Sequence, residues 1–145
     1  MTPSEILVDQ AWRIAELMGR KSVRPPATAD YPRGDGTLCV KYINGEYHLT
    51  CEERGSVYSD FKTTAADEVL YRIASEIASD QAVHEMPDAP PGTSPFEHIA
   101  MRESLEVELL ARISPQWAAR RRLEVRENAS RRANRLAPKS DPPPS

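Results

Sequence analysis

The 145-residue chain, 39% hydrophobic and 28% charged, has the size of one ordinary domain and no apolar run near 20 residues, which excludes a membrane-spanning helix. Its net charge of -3 conceals a split: residues 1–111 carry 10 basic and 19 acidic side chains, whereas residues 112–145 carry 9 and 3. An acidic body joined to a basic segment implies partner electrostatics, and two cysteines are too few for a disulfide scaffold or a four-cysteine zinc site.

The chain opens Met-Thr-Pro-Ser-Glu, with an acid where a secretory signal carries basic residues. Asp9, Arg13 and Glu16 interrupt the apolar stretch that follows, so a cytoplasmic, reducing location is expected. The same residues begin a helix: Thr2 caps, Pro3 fits the first turn and Glu5 closes a capping box. Leu7, Ala11, Ile14, Ala15 and Met18 then recur at helical spacing.

Residues 24–36 are rich in Pro, Gly and Asp without apolar period and read as a loop. Two strands are predicted at 37–43 and 46–53, flanking Asn44-Gly45, a pair suited to a turn that needs positive φ at both positions. That turn pairs Tyr42 with Tyr47, Val40 with Leu49 and Leu38 with Cys51 on an apolar face. Cys39/Thr50, Lys41/His48 and Ile43/Glu46 form the other, wetter face, so Cys39 and Cys51 point apart and no disulfide is expected.

A third strand at 57–62 follows Arg54-Gly55-Ser56, read as a three-residue loop with Gly55 in a bulge, which sets Val57, Ser59 and Phe61 on the apolar face. The expected class is therefore α+β, a three-stranded antiparallel meander covered by about four helices. The second helix starts at a Thr64-Ala65-Ala66-Asp67 capping box, and its stripe of Ala66, Val69, Leu70, Ile73, Ala74 and Ile77 runs to about Ser79.

A Pro-rich connection at 87–93 precedes Ser94-Pro95-Phe96-Glu97, which opens a third helix through Ile113. Ser114-Pro115-Gln116-Trp117 restarts helix at a tight corner. The last helix has a thin apolar stripe and six arginines between Arg120 and Arg132. Residues 137–145, mostly Pro, Ser and charge, read as a disordered tail beyond a single domain at 1–136.

Little here is catalytic. His48, His84 and His98 are scattered over strand, loop and helix without metal-ligand spacing, and no phosphate-cradling glycine loop or Gly-x-Ser-x-Gly occurs. Cys39 with His48 one pair along is the single nucleophile arrangement to weigh. No cofactor or metal is expected. Arginines 120–122, 126, 131 and 132 offer phosphate contacts, so a nucleic-acid-binding regulator acting through the last helix is an alternative function. Against it, Glu124 and Glu127 interrupt the charge, base-stacking aromatics are lacking beyond Trp117, and the arginines have acids of the body to pair with.

Three motifs in order resemble the immunity protein 63 family of bacterial polymorphic toxin systems. They are Glu46-Tyr47-His48-Leu49 running into Glu53-Arg54-Gly55; Thr63-Thr64 followed by Asp67-Glu68-Val69-Leu70-Tyr71-Arg72; and Leu109-Leu110 followed by Ser114-Pro115-Gln116-Trp117-Ala118. The resemblance covers about residues 36–127. It implies a small cytoplasmic, non-enzymatic protein that binds and neutralises a cognate toxin domain. The expected toxin contacts are Glu52, Glu53 and Arg54 at the hairpin tip, Asp60 on the third strand, and Asp67 and Glu68 at the start of the second helix. Acids on a small rigid scaffold would steer a basic partner.

Overall fold

A computed structural model describes residues 1–136; the expected disordered tail at 137–145 lies outside the described residues. Helix α1 (Pro3–Leu17) is followed by strands β1 (Thr28–Ala29), β2 (Asp35–Ile43), β3 (Glu46–Glu53) and β4 (Ser56–Thr63), then helices α2 (Ala66–Glu85), α3 (Pro95–Ala111) and α4 (Pro115–Leu136). The class is α+β, with four helices and a four-stranded mixed sheet in the order β1-β2-β3-β4.

That sheet corrects the expected three-stranded antiparallel meander. Thr28 and Ala29, within the segment read as loop, pair in parallel with Cys39 and Val40, and the Asp30 amide donates to the Val40 carbonyl at 2.8 Å. The outer edge of β2 lies beside buried side chains, so its peptide groups need partners inside the protein. Two residues supply them, too short a strand to leave a periodic trace in sequence.

The β2–β3 register is the one the Asn44-Gly45 turn dictates, from Leu38 opposite Cys51 to Ile43 opposite Glu46, with φ of 52° and 79° at the turn. Beyond it, the β3–β4 loop is shorter than expected. Arg54 and Gly55 form a two-residue turn at φ 52° and 81°, Glu53 faces Ser56, and the irregularity sits at Tyr58 between the Glu52/Val57 and Cys51/Ser59 pairs. Ser59 and Phe61 remain in register with Cys51 and Leu49, but Val57 aligns with Glu52 and stands 56% exposed. The bulge, moved up the strand, has turned Val57 off the apolar face.

The face expected to be wetter is dry at its centre: Cys39 is fully buried and Thr50 nearly so. β1 brings Thr28 opposite Cys39, and Thr28 and Thr50 flank its thiol. Helices α1 and α2 cover the other face, α3 packs on α2, and α4 packs on α3. Leu7, Ala11, Ile14, Met18, Val40, Leu49, Val69, Ile73, Leu109 and Leu110 join in one core.

Local chemistry explains most helix ends. The Thr2 hydroxyl accepts from the Glu5 amide at 3.2 Å, Ser94 from Glu97 at 3.2 Å, and Ser114 from Trp117 at 3.2 Å. The exception is α2, whose cap is Ala65 with no side-chain bond; Thr63 instead accepts from the Ala65 amide at 3.1 Å. The Thr64 capping box is not formed, because β4 continues to Thr63 and delays the helical turn. At its other end α2 outruns the expected Ser79, continuing through buried Ala78, Gln81 and Ala82 to Glu85, so His84 belongs to its last turn.

Candidate functional site

The six residues expected to contact a partner do not form one cluster. Glu53 and Arg54 are exposed at the β3–β4 turn, with half-buried Glu52 just behind them. Asp60 is exposed in mid-strand, whereas Asp67 and Glu68 begin α2 beyond the far end of β4. At about 3.3 Å per residue the eight residues of β4 separate the two ends by roughly 26 Å. Of the six only Asp60 lies on β4, the strand that pairs with β3 on one side and forms the edge of the sheet; the others flank its two ends.

Each acid has its own surroundings. Asp35, in the segment read as loop, lies opposite Glu53 at the tip; the Thr37 amide donates to its Oδ1 at 3.0 Å and Arg33 Nε to its Oδ2 at 3.1 Å. These bonds, chiefly from Thr37, hold its carboxyl down at about 2. Gly34-Asp35-Gly36-Thr37 is an Asx-turn signature that could have placed this acid in advance. In mid-strand, His48 stands between Asp60 at 3.5 Å and Glu46 at 3.6 Å.

Glu68 is engaged within the protein. Arg120 grips both its oxygens in a bidentate pair at 2.6 Å each, and Arg72 lies 3.6 Å away. The Arg120 fork holds the Glu68 carboxyl below its usual range. Arg120 also stacks over the Tyr71 ring at 3.8 Å, and the Tyr71 hydroxyl donates to Glu124 at 2.6 Å. Burial, with that acceptor, pushes Tyr71 up to about 12. Partners 52 and 53 residues apart carry no local signal, so the Arg120–Glu68 and Tyr71–Glu124 pairs were not legible in sequence.

Beside β4 this network walls a cleft of about 300 Å³ between the sheet and helices α2 and α4. Ser59 and Phe61 of β4 form one lip, while Tyr71, Ser75 and Glu76 of α2 form another. Arg72 lies flat over Phe61 at 3.5 Å, and the Ser75 hydroxyl is buried there without a hydrogen-bond partner.

Of the seven arginines of α4, three, Arg120, Arg121 and Arg132, pair with acids of the body. Arg121 donates to Glu106 at 2.6 and 3.1 Å, Arg132 donates to Glu103 at 3.0 Å, and both carboxylate residues are only 2% exposed. Arg122, Arg126 and Arg135 have no ion pair among the described residues. Part of the charge that counterion release would need is thus neutralised by the body, which weakens the nucleic-acid reading.

Catalytic chemistry gains no support from the remaining candidates. Cys39 is buried and desolvation raises its thiol, the reverse of an activated nucleophile, while the His48 nitrogens face Glu46 and Asp60. Cys51 is free as well, its sulfur 3.3 Å from the Gly36 carbonyl. Among the described residues no group of three or more His, Cys, Asp or Glu is placed to hold a metal ion, and no helix is long and apolar enough to cross a membrane.

Residues 44–127 match the family model of immunity protein 63, and the chain belongs to that family. The match runs from the β2–β3 turn through residue 127 of α4, so it contains β4, nearly all of the cleft lining and the Arg120–Glu68 and Arg121–Glu106 pairs, but not Arg132. No curated protein and no solved structure matches the chain significantly.

Proposed function

We propose that this member of the immunity protein 63 family binds a cognate toxin domain and neutralises it by occupying it, without catalysis, using residues 1–136 as one domain in the cytoplasm. The observation that carries the reading is the family match over residues 44–127. A protein that acts by occlusion needs a stable scaffold and a complementary surface, not a catalytic set.

The contact surface is the β4 edge with the charged residues at its two ends and centre: Glu52, Glu53 and Arg54, then Asp60, then Asp67. Glu68 serves it indirectly, by anchoring Arg120 beside the cleft. Between residues 46 and 68 six carboxylates stand against the cations Arg54 and Lys62, a balance that favours a basic partner surface.

The test is purification of the tagged chain from its own cells, with nuclease treatment and a high-salt wash, followed by mass spectrometry. One stoichiometric protein, whose toxicity on expression is relieved by this chain, is the expected result. Nucleic acid alone, lost on nuclease treatment, would overturn the reading in favour of α4.

A further inference from the structure

We infer that the free edge of β4 takes an extended segment of the partner as a fifth strand, a lysine- or arginine-bearing strand whose alternate side chains reach the cleft beside Phe61. The inference rests on the immunity reading for the identity of the partner, and deepens it by assigning the mode of contact.

In an antiparallel pair, alternate residues turn their N–H and C=O groups away from the neighbour, so β4 offers such a row along its outer side. Among the described residues no backbone hydrogen bond from a turn or loop reaches β4. Edge strands are commonly shortened, interrupted by proline or covered. At the other edge of this sheet β1 has only two residues, whereas β4 has eight, contains no proline and exposes Tyr58 at 68%. Its bulge at Tyr58 protects only the end near the turn, leaving Ser59 to Thr63 in regular register with β3.

An added strand would alternate across the same two faces. Side chains on one face would pass over Ser59 and Phe61 at the mouth of the 300 Å³ cleft, where the Ser75 hydroxyl lacks a partner. Those on the other face would lie beside Asp60, which His48 and Lys62 approach at 3.5 and 4.0 Å, and toward Glu52, so a cation fits best on the Glu52 side of Asp60, away from Lys62. Backbone pairing supplies affinity, and the cleft and the acids supply selection. The local excess of carboxylates also disfavours a second copy of this chain, which would bring the same charge to the same edge.

The test uses octapeptides alternating lysine with valine, leucine or phenylalanine, with hydrogen exchange of the full chain read by NMR. At ten times the Kd of the best peptide, alternate amides of β4 should exchange about tenfold more slowly. Replacing the peptide lysines by glutamate should remove the effect, and Asp60→Lys in the protein should weaken binding about fivefold. Unchanged β4 exchange at saturating solubility, protection confined to α3 and α4, or β4 protection that grows with protein concentration alone would each overturn the inference. No toxin is needed, so the two failures separate. Peptide docking without a co-purifying toxin removes the immunity reading alone, whereas a toxin complex with unprotected β4 removes the strand mode alone.

Discussion

Removing Arg121 tests whether the basic helix is held by buried charge. Glu106 is 2% exposed, and its carboxylate receives two hydrogen bonds from Arg121, at 2.6 and 3.1 Å, with Arg102 3.5 Å away on its other oxygen. Opposite unit charges about 4 Å apart attract by about 4 kcal/mol at an effective dielectric constant near 20. Arg121→Met keeps much of the side-chain volume but leaves that carboxylate with only the more exposed Arg102, so a loss of about 3 kcal/mol is expected. In urea unfolding with a slope of about 2 kcal/mol/M, the midpoint should fall by about 1.5 M with the slope unchanged. The double variant Glu106→Leu/Arg121→Met removes both charges and should recover to within about 1 kcal/mol of the parent. A single variant within about 1 kcal/mol of the parent would refute the premise that this pair is effectively desolvated.

Other consequences follow from the same geometry. Tyr71 is raised to about 12, so its neutral form contributes stability that is complete below the unfolded value near 10 and lost as pH rises through 12; of the five tyrosines, Tyr71 should ionise late in an ultraviolet absorbance titration of the folded chain. Ionisation of Tyr71 near 10 would contradict its burial beside the Glu124 carboxylate. Native-state labelling with a thiol reagent should modify Cys51 well before Cys39, by at least about tenfold, and equal rates would mean that β1 does not cover Cys39. In the toxin complex, Glu53→Lys with Asp60→Lys should slow association by about tenfold at low salt, and the deficit should shrink as salt rises; affinity indifferent to ionic strength would argue against electrostatic steering. Ser94→Ala should cost about 1 kcal/mol in the same urea assay through loss of the α3 cap, and no change would mean that the bond to Glu97 adds nothing.

Local chemistry determined a large part of this protein. Thr2, Ser94 and Ser114 capped helices where the sequence placed them, because a side-chain oxygen three residues before an orphan amide needs no distant help. Asn44-Gly45 set the β2–β3 register pair by pair, since a two-residue turn with positive φ leaves one alignment. The three family motifs lie within the residues the family model matches.

Other features depended on what else was nearby in space. The turn at Arg54-Gly55 closed with two residues and moved the bulge to Tyr58, turning Val57 outward, an outcome set by pairing along the whole of β3 and β4. Thr28 and Ala29 became a strand because β2 needed partners for its peptide groups, a demand invisible in residues 24–36 themselves. The six expected contact residues were individually readable as charged and surface-seeking. Only the assembled fold put Asp60 on the open edge, set the others at its two ends and fixed Glu68 to Arg120, because edge position and long-range ion pairing belong to the packing of distant segments and not to any window of sequence.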